Sequence, residues 1–185
     1  GGTGGIEIEV FKPLRGHDGA VPVAFGKRLA AGMGHDQPGF GNSGEQSRLY
    51  LNNGTGTFTD ATATRMPVAS DYTSSPVLGD VDGDGDLDLA VVGDGSTSRI
   101  YRNDDGTFTD IVAGLGVHNG GSAAWGDHDN DGDLDLLVTG SLQTILYDNI
   151  AGTFTPVVSG IVGVSNGKAA WGDFDGDGDL DVAVT

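Results

Sequence analysis

The chain of 185 residues is 37% hydrophobic, enough to build a core in one or two domains of ordinary size, which argues against disorder. Nine Lys and Arg stand against 27 Asp and Glu, a formal charge of −18, and this excludes a grip on nucleic-acid phosphate or an anionic membrane face as the main activity; any charged partner is a cation. The absence of cysteine excludes disulfides, zinc thiolate sites and a cysteine nucleophile, while 34 glycines favour a turn-dense all-β chain over long helices.

Residues 1–44 form a divergent N-terminal segment. Gly1 to Gly5 reads as a flexible leader and Ile6-Glu-Ile-Glu-Val-Phe11 as an alternating strand, either the first strand of the fold or an arm that adds to a neighbour's sheet. The opening residues lack the basic and apolar regions of a signal peptide, and no apolar run reaches the roughly 18 residues of a membrane helix. This reads as a soluble chain, already processed or cut from something longer, with no membrane insertion. His17-Asp18 and His35-Asp36 lie in similar Gly-rich contexts that read as turns, although metal contact is an alternative. Gly39-Phe-Gly-Asn-Ser-Gly44 fits a dinucleotide fingerprint, but neither a strand before it nor a helix after it is expected, so it reads as a connecting loop.

From residue 45 onward the chain repeats. Gly79-Asp-Val-Asp-Gly-Asp-Gly-Asp-Leu-Asp-Leu89 recurs at Gly126 to Leu136 and at Gly172 to Val182, with first aspartates 47 and 46 residues apart. Between them lie Arg48-Leu-Tyr-Leu-Asn52, Arg99-Ile-Tyr-Arg-Asn103 and Ile145-Leu-Tyr-Asp-Asn149, each followed by Gly-Thr-Phe-Thr at Gly56, Gly106 and Gly152. Within one unit the pieces read as four strands: Ala123 to Trp125, Leu134 to Thr139, Thr144 to Tyr147 and Thr153 to Val158, the last two paired across a turn. Four strands at a period of about 46 residues match a β-propeller built of four-stranded antiparallel blades. Trp125 and Trp171 precede the acidic loops and read as packing between blades rather than as a sugar platform.

The loops have the form Asp-x-Asp-x-Asp-Gly-x-x-Asp. Alternate side chains of a tight loop face a bound cation, so Asp80, Asp82, Asp84 and Asp88 offer carboxylates, Asp86 its backbone carbonyl, and Gly85 makes the sharp turn. Asp127, Asp129, Asp131 and Asp135 with Asp133 repeat this, as do Asp173, Asp175, Asp177 and Asp181 with Asp179. An all-oxygen, flexible set selects a hard ion and favours Ca2+ over magnesium, at three sites. His128, between two ligand aspartates, is expected to point outward. An EF-hand would place Glu at loop position 12, where this chain has Val91, Val138 and Val184, and strand rather than helix follows each loop.

These cores, with Leu-Tyr-x-Asn and Gly-Thr-Phe-Thr, resemble FG-GAP/VCBS-type repeats, the unit of integrin-α-like calcium-binding propellers, over about residues 45–185. The resemblance implies a calcium in the loop joining the first two strands of each blade, and a ligand or partner, protein or glycan, on another face. Two blades, about 76–112 and 122–158, read as complete and the two ends as half-blades. They could combine to give three blades, or four if residues 6–11 and 21–25 supply one; otherwise the chain is a segment of a longer propeller, or its open edges pair with another chain as a homo-oligomer or fibre.

The expected function is an extracellular or cell-surface calcium-binding module with a structural, adhesive or assembly role. Loops of this kind fill at the millimolar calcium found outside cells. The alternatives are a carbohydrate-binding or accessory domain of a larger extracellular enzyme, and a subunit of an extracellular fibre assembled by strand exchange. No nucleophile, base and orienter set is evident, so the chain itself is not expected to be an enzyme. Asn53-Gly-Thr55 is an N-glycosylation acceptor triplet in an expected turn.

Overall fold

The computed structural model describes residues 47–69, 73–93 and 95–185; the strand expected over 6–11, the divergent blade, both His-Asp pairs and the Gly39–Gly44 loop lie outside them. The described residues are all-β apart from one short helix, α1, Thr62–Arg65. Twelve strands follow in chain order: β1 Tyr50–Asn52, β2 Phe58–Asp60, β3 Thr73–Gly79, β4 Asp88–Gly93, β5 Arg99–Asp104, β6 Thr107–Asp110, β7 Ala123–Gly126, β8 Asp135–Gly140, β9 Gln143–Ile150, β10 Thr153–Val157, β11 Ala169–Gly172 and β12 Asp181–Val184.

They form four antiparallel sheets. Sheets II (β3-β4-β5-β6) and III (β7-β8-β9-β10) are four-stranded meanders, and sheets I (β1-β2) and IV (β11-β12) are two-stranded. The four strands expected of the central unit are β7 to β10, with β9 running longer than anticipated in both directions. The β5–β6 and β9–β10 turns, Asp105-Gly106 and Ala151-Gly152, hold both residues at positive φ (50° and 80°, 50° and 83°), as a tight two-residue hairpin requires. The described residues close neither a ring nor a barrel, so the complete propeller is not formed by them.

Burial explains the second strands. Leu136, Leu137 and Val138 are consecutive and all fully buried, because neighbouring sheets cover both faces of β8. One core joins sheets II and III through Val92, Ile100, Leu115, Leu136, Val138 and Phe154. A second packs Leu49 and Met66, from beside β1 and α1, on Val91, Tyr101 and Phe108 of sheet II. Arg65 ties α1 to the β5–β6 turn through the carbonyls of Asp105 and Gly106 at 3.3 and 3.0 Å.

The tryptophans set the spacing between sheets. A Cβ on Gly79 would lie 2.7 Å from the Trp125 ring and one on Gly126 2.8 Å from the Trp171 ring, so each indole lies against the bare backbone at the end of the preceding sheet's first strand. Trp171 Nε1 also donates to Ala124 O at 3.2 Å. Both rings therefore serve packing between units, as the sequence suggests.

Candidate metal centres

Each acidic loop joins the first strand of its sheet to the second: Asp80 to Asp88 between β3 and β4, Asp127 to Asp135 between β7 and β8, Asp173 to Asp181 between β11 and β12. The loops fold on their own carboxylates. Asp80 accepts N–H bonds from Gly83 and Gly85 at 2.9 and 3.1 Å, Asp127 from Asp131 and Gly132 at 3.1 Å each, and Asp173 from Gly176 and Gly178 at 2.7 and 3.2 Å. The third and fifth positions cap the residue two ahead: Asp82, Asp129 and Asp175 accept from Asp84, Asp131 and Asp177, and these in turn from Asp86, Asp133 and Asp179. Gly85, Gly132 and Gly178 sit at φ of 96°, 99° and 97°, which a side chain would strain.

Carboxylate oxygens of positions one, three and nine converge in every loop. Asp80, Asp82 and Asp88 place one oxygen each within 4.8 Å of one another, and so do Asp127, Asp129 and Asp135, and Asp173, Asp175 and Asp181. Three anionic oxygens at that separation, without sulfur or nitrogen, suit a hard divalent cation such as calcium. Position five differs. Asp84 groups instead with Asp82 and with Asp104 at the end of β5, and among the described residues no such group contains Asp131 or Asp177. At position seven the side chains are engaged elsewhere: Asp86 accepts from Asp105 N–H at 2.9 Å, Asp133 from Ala151 N–H at 3.3 Å, and Asp179 from Asn130 Nδ2 at 3.0 Å.

The ninth position does more than face a cation. Asp88 and Asp135 are fully buried. Asp88 accepts from Val81 N–H at the loop start and from Asn103 N–H on the third strand, both at 2.7 Å; Asp135 does the same with His128 and Asn149 N–H, both at 2.8 Å. The asparagine completes the clip, since Asn103 Nδ2 donates to Leu87 O at 3.0 Å and Asn149 Nδ2 to Leu134 O and Val81 O at 3.1 Å each. A carboxylate has about four acceptor sites, so lone pairs remain for a cation beside the two bonds of Asp88 and the two backbone bonds and His128 contact of Asp135. Burial is the strongest influence on the Asp88 carboxyl and raises its pKa; the Asn103 and Val81 N–H groups pull it down, the charges of Asp82 and Asp84 push it up, and the net direction is upward. A bound cation would reverse that balance.

His128 does not point outward. Its Nδ1 lies 2.8 Å from Asp135 Oδ2, with the ring partly buried, because the clip turns the residue after Asp127 back toward the ninth position. Burial lowers its pKa, but the hydrogen bond and charge of Asp135, with Asp129 and Asp148, outweigh that and raise it. Asp148 completes a further grouping with His128 and Asp135. The asparagine of Leu-Tyr-x-Asn has no role that its spacing assigns; its recurrence 15 residues after Asp88 and 14 after Asp135 is the signal the sequence holds.

An FG-GAP-like repeat profile matches three overlapping stretches of the chain, residues 39–91, 80–138 and 127–184. No curated protein matches it.

Proposed function

The chain belongs to the FG-GAP-like repeat family, and on that premise we propose that it is a calcium-binding β-propeller module of an extracellular or cell-surface protein, with a structural, adhesive or assembly role and no catalysis of its own. The observation that carries the reading is the threefold convergence of carboxylates at loop positions one, three and nine. Asp80, Asp82 and Asp88, and their counterparts in the other two loops, would hold the ion, with Asp84, Asp131 and Asp177 and the carbonyls of Asp86, Asp133 and Asp179 as the further ligands expected from the spacing. Calcium would supply charge neutralisation, in a chain of formal charge −18 with fifteen aspartates in three loops. Low-affinity loops of this type fill where free calcium is millimolar, which supports a location outside the cell.

The test is thermal melting with calorimetric titration. If each site binds with Kd ~0.1 mM at ~1 mM free calcium, linkage adds about 1.4 kcal/mol per site and about 4 kcal/mol for three. Chelation is expected to lower Tm markedly, magnesium to restore less of it than calcium, and the titration to saturate at three ions per chain. A melt unchanged in chelator overturns the reading.

A further inference from the structure

The first and second acidic loops are joined by hydrogen bonds that pass through one side chain of sheet III. Val81 lies between Asp80 and Asp82, two of the three carboxylates that converge in the first loop. Its N–H donates to Asp88 Oδ2 at 2.7 Å, within the same loop. Its C=O accepts from Asn149 Nδ2 at 3.1 Å, and Asn149 belongs to β9 of the next sheet. Asn149 N–H in turn donates to Asp135 Oδ1 at 2.8 Å. Three hydrogen bonds therefore connect Asp88 to Asp135, the ninth-position carboxylates of the two loops, by way of the Val81 backbone and Asn149.

Both intermediate residues are held firmly. Asn149 is at 0% exposure; its Nδ2 also donates to Leu134 O at 3.1 Å and its Oδ1 accepts from Gly152 N–H at 2.9 Å, so turning the carboxamide would break buried bonds on both sides. Val81 is buried too, and its side chain belongs to the core that joins sheets II and III, with Leu136 and Phe154. Position two of the first loop is thus fixed by sheet III at its side chain and its carbonyl, and by Asp88 at its N–H.

We propose that Asn149 is a positioning residue for calcium in the first loop and that, through it, the first and second loops fill cooperatively. The proposal rests on the calcium-binding reading above. The five aspartates of each loop repel one another when no cation is bound, which loosens the ninth-position carboxylate against its N–H donors. With the second loop occupied, Asp135 is fixed, Asn149 N–H is fixed on it, and Nδ2 stays on the Val81 carbonyl. The segment that carries Asp80 and Asp82 is then ordered before a cation arrives there, and the first loop binds at a smaller entropic cost. The Val81 backbone is the shared element whose order both loops bias, as energetic coupling requires. A second influence has the opposite sign, since two cations in neighbouring loops repel, with screening over about 8 Å at 0.15 M salt. Variants of the uncharged Asn149, compared at one salt concentration, hold that influence constant.

The experiment is a calcium titration of the full chain followed by NMR at two amides, Gly85 in the first loop and Gly132 in the second. Asp129→Asn weakens the second loop, keeps an oxygen for Asp131 N–H and leaves every bond of the connection in place. It is expected to lower the affinity read at Gly85 at least about fivefold, the low end of allosteric couplings, and by reciprocity Asp82→Asn lowers the affinity read at Gly132 by the same factor. Asn149→Ser removes the donor to Val81 O and keeps the backbone N–H for Asp135. In that background Asp129→Asn is expected to move the affinity at Gly85 by less than about twofold, as for independent sites. A residue that only stabilised the fold would weaken both loops and leave the effect of Asp129→Asn intact. Where Asn149→Ser does not fold, hydrogen exchange of the Val81 amide decides: at one calcium concentration it is expected to be slower in Asp82→Asn than in Asp82→Asn with Asp129→Asn. Equal exchange in the two, a coupling that persists in Asn149→Ser, or a Gly85 affinity indifferent to Asp129→Asn overturns the proposal. The functional reading fails differently: calcium that shifts neither amide in the parent removes it, whereas two amides that titrate independently leave it standing and remove only the coupling.

Discussion

At the scale of single residues, two aspartates of one loop carry different burdens. Asp129 is a surface carboxylate whose loop bond is local, whereas Asp135 is buried and satisfies two backbone N–H groups from distant segments. Leaving those donors buried without an acceptor costs ~1–3 kcal/mol each. In calcium-free buffer Asp135→Ala is expected to lose about 3 kcal/mol in urea unfolding and Asp129→Ala less than about 0.5 kcal/mol, since surface substitutions away from such bonds stay near zero. If the loop holds calcium as proposed, both variants are expected to lose affinity there, so the two buffers together separate the clip from the ion. His118 makes a second residue-scale case. It is 1% exposed, its Nε2 lies 3.3 Å from the Tyr147 hydroxyl, and its Nδ1 has no hydrogen-bond partner among the described residues. Burial lowers its pKa. The unfolded chain therefore takes up a proton near pH 6.5 that the folded chain refuses until lower pH, so the stability His118 contributes is complete above that value and declines as pH falls through it, by at most ~1.4 kcal/mol per pH unit. Paired urea melts at about pH 7.5 and 5.5 are expected to show a larger loss for the parent than for His118→Phe; equal losses would show that the ring is protonated in the fold without penalty.

At the scale of elements, the sheets meet through tryptophan on glycine. Gly126 ends β7, and a methyl group there would overlap the Trp171 ring of the next sheet, whose Nε1 is also fixed on Ala124 O. Gly126→Ala is expected to cost about 1–3 kcal/mol, the usual penalty of forcing a packed ring aside. Near-ultraviolet circular dichroism should report the displaced indole while far-ultraviolet strand content stays. Unchanged stability would mean that sheet IV shifts freely against sheet III. The clip works at the same scale, since Asn149 Nδ2 reaches Val81 O in the loop of the preceding sheet and ties adjacent loops as well as strands.

For the whole molecule, the formal charge of −18 is the governing quantity. Fifteen aspartates crowd three loops that stand at the same end of successive sheets, and Asn130 of the second loop touches Asp179 of the third at 3.0 Å. Without calcium their repulsion opposes the compact state, and monovalent salt screens it over a Debye length of ~10 Å at 0.1 M and ~3 Å at 1 M. The chelated protein is therefore expected to gain Tm as sodium chloride rises through this range, while the calcium-loaded protein changes far less. A chelated melt independent of salt would show that the loops are not self-repelling.

The residues by themselves determined the all-β class, the period of about 46, the central strands to within a few residues, and the place of the three Asp-rich loops between strands. Each of these is local: a strand's alternation, a glycine at positive φ and the odd spacing of aspartates act within a dozen residues. The tertiary structure decided what depends on distant partners. The clip joins Asp135 at the start of β8 to Asn149 on the neighbouring strand β9, and no local rule distinguishes its buried carboxylate from the exposed one six positions earlier. His128 turned inward because that clip pulls the loop start toward the ninth position, which overrides simple alternation. The two-stranded end sheets were legible from the repeats, but the clip emerged only in the four-stranded sheets, because a hydrogen bond between second and third strands has no signature within either strand.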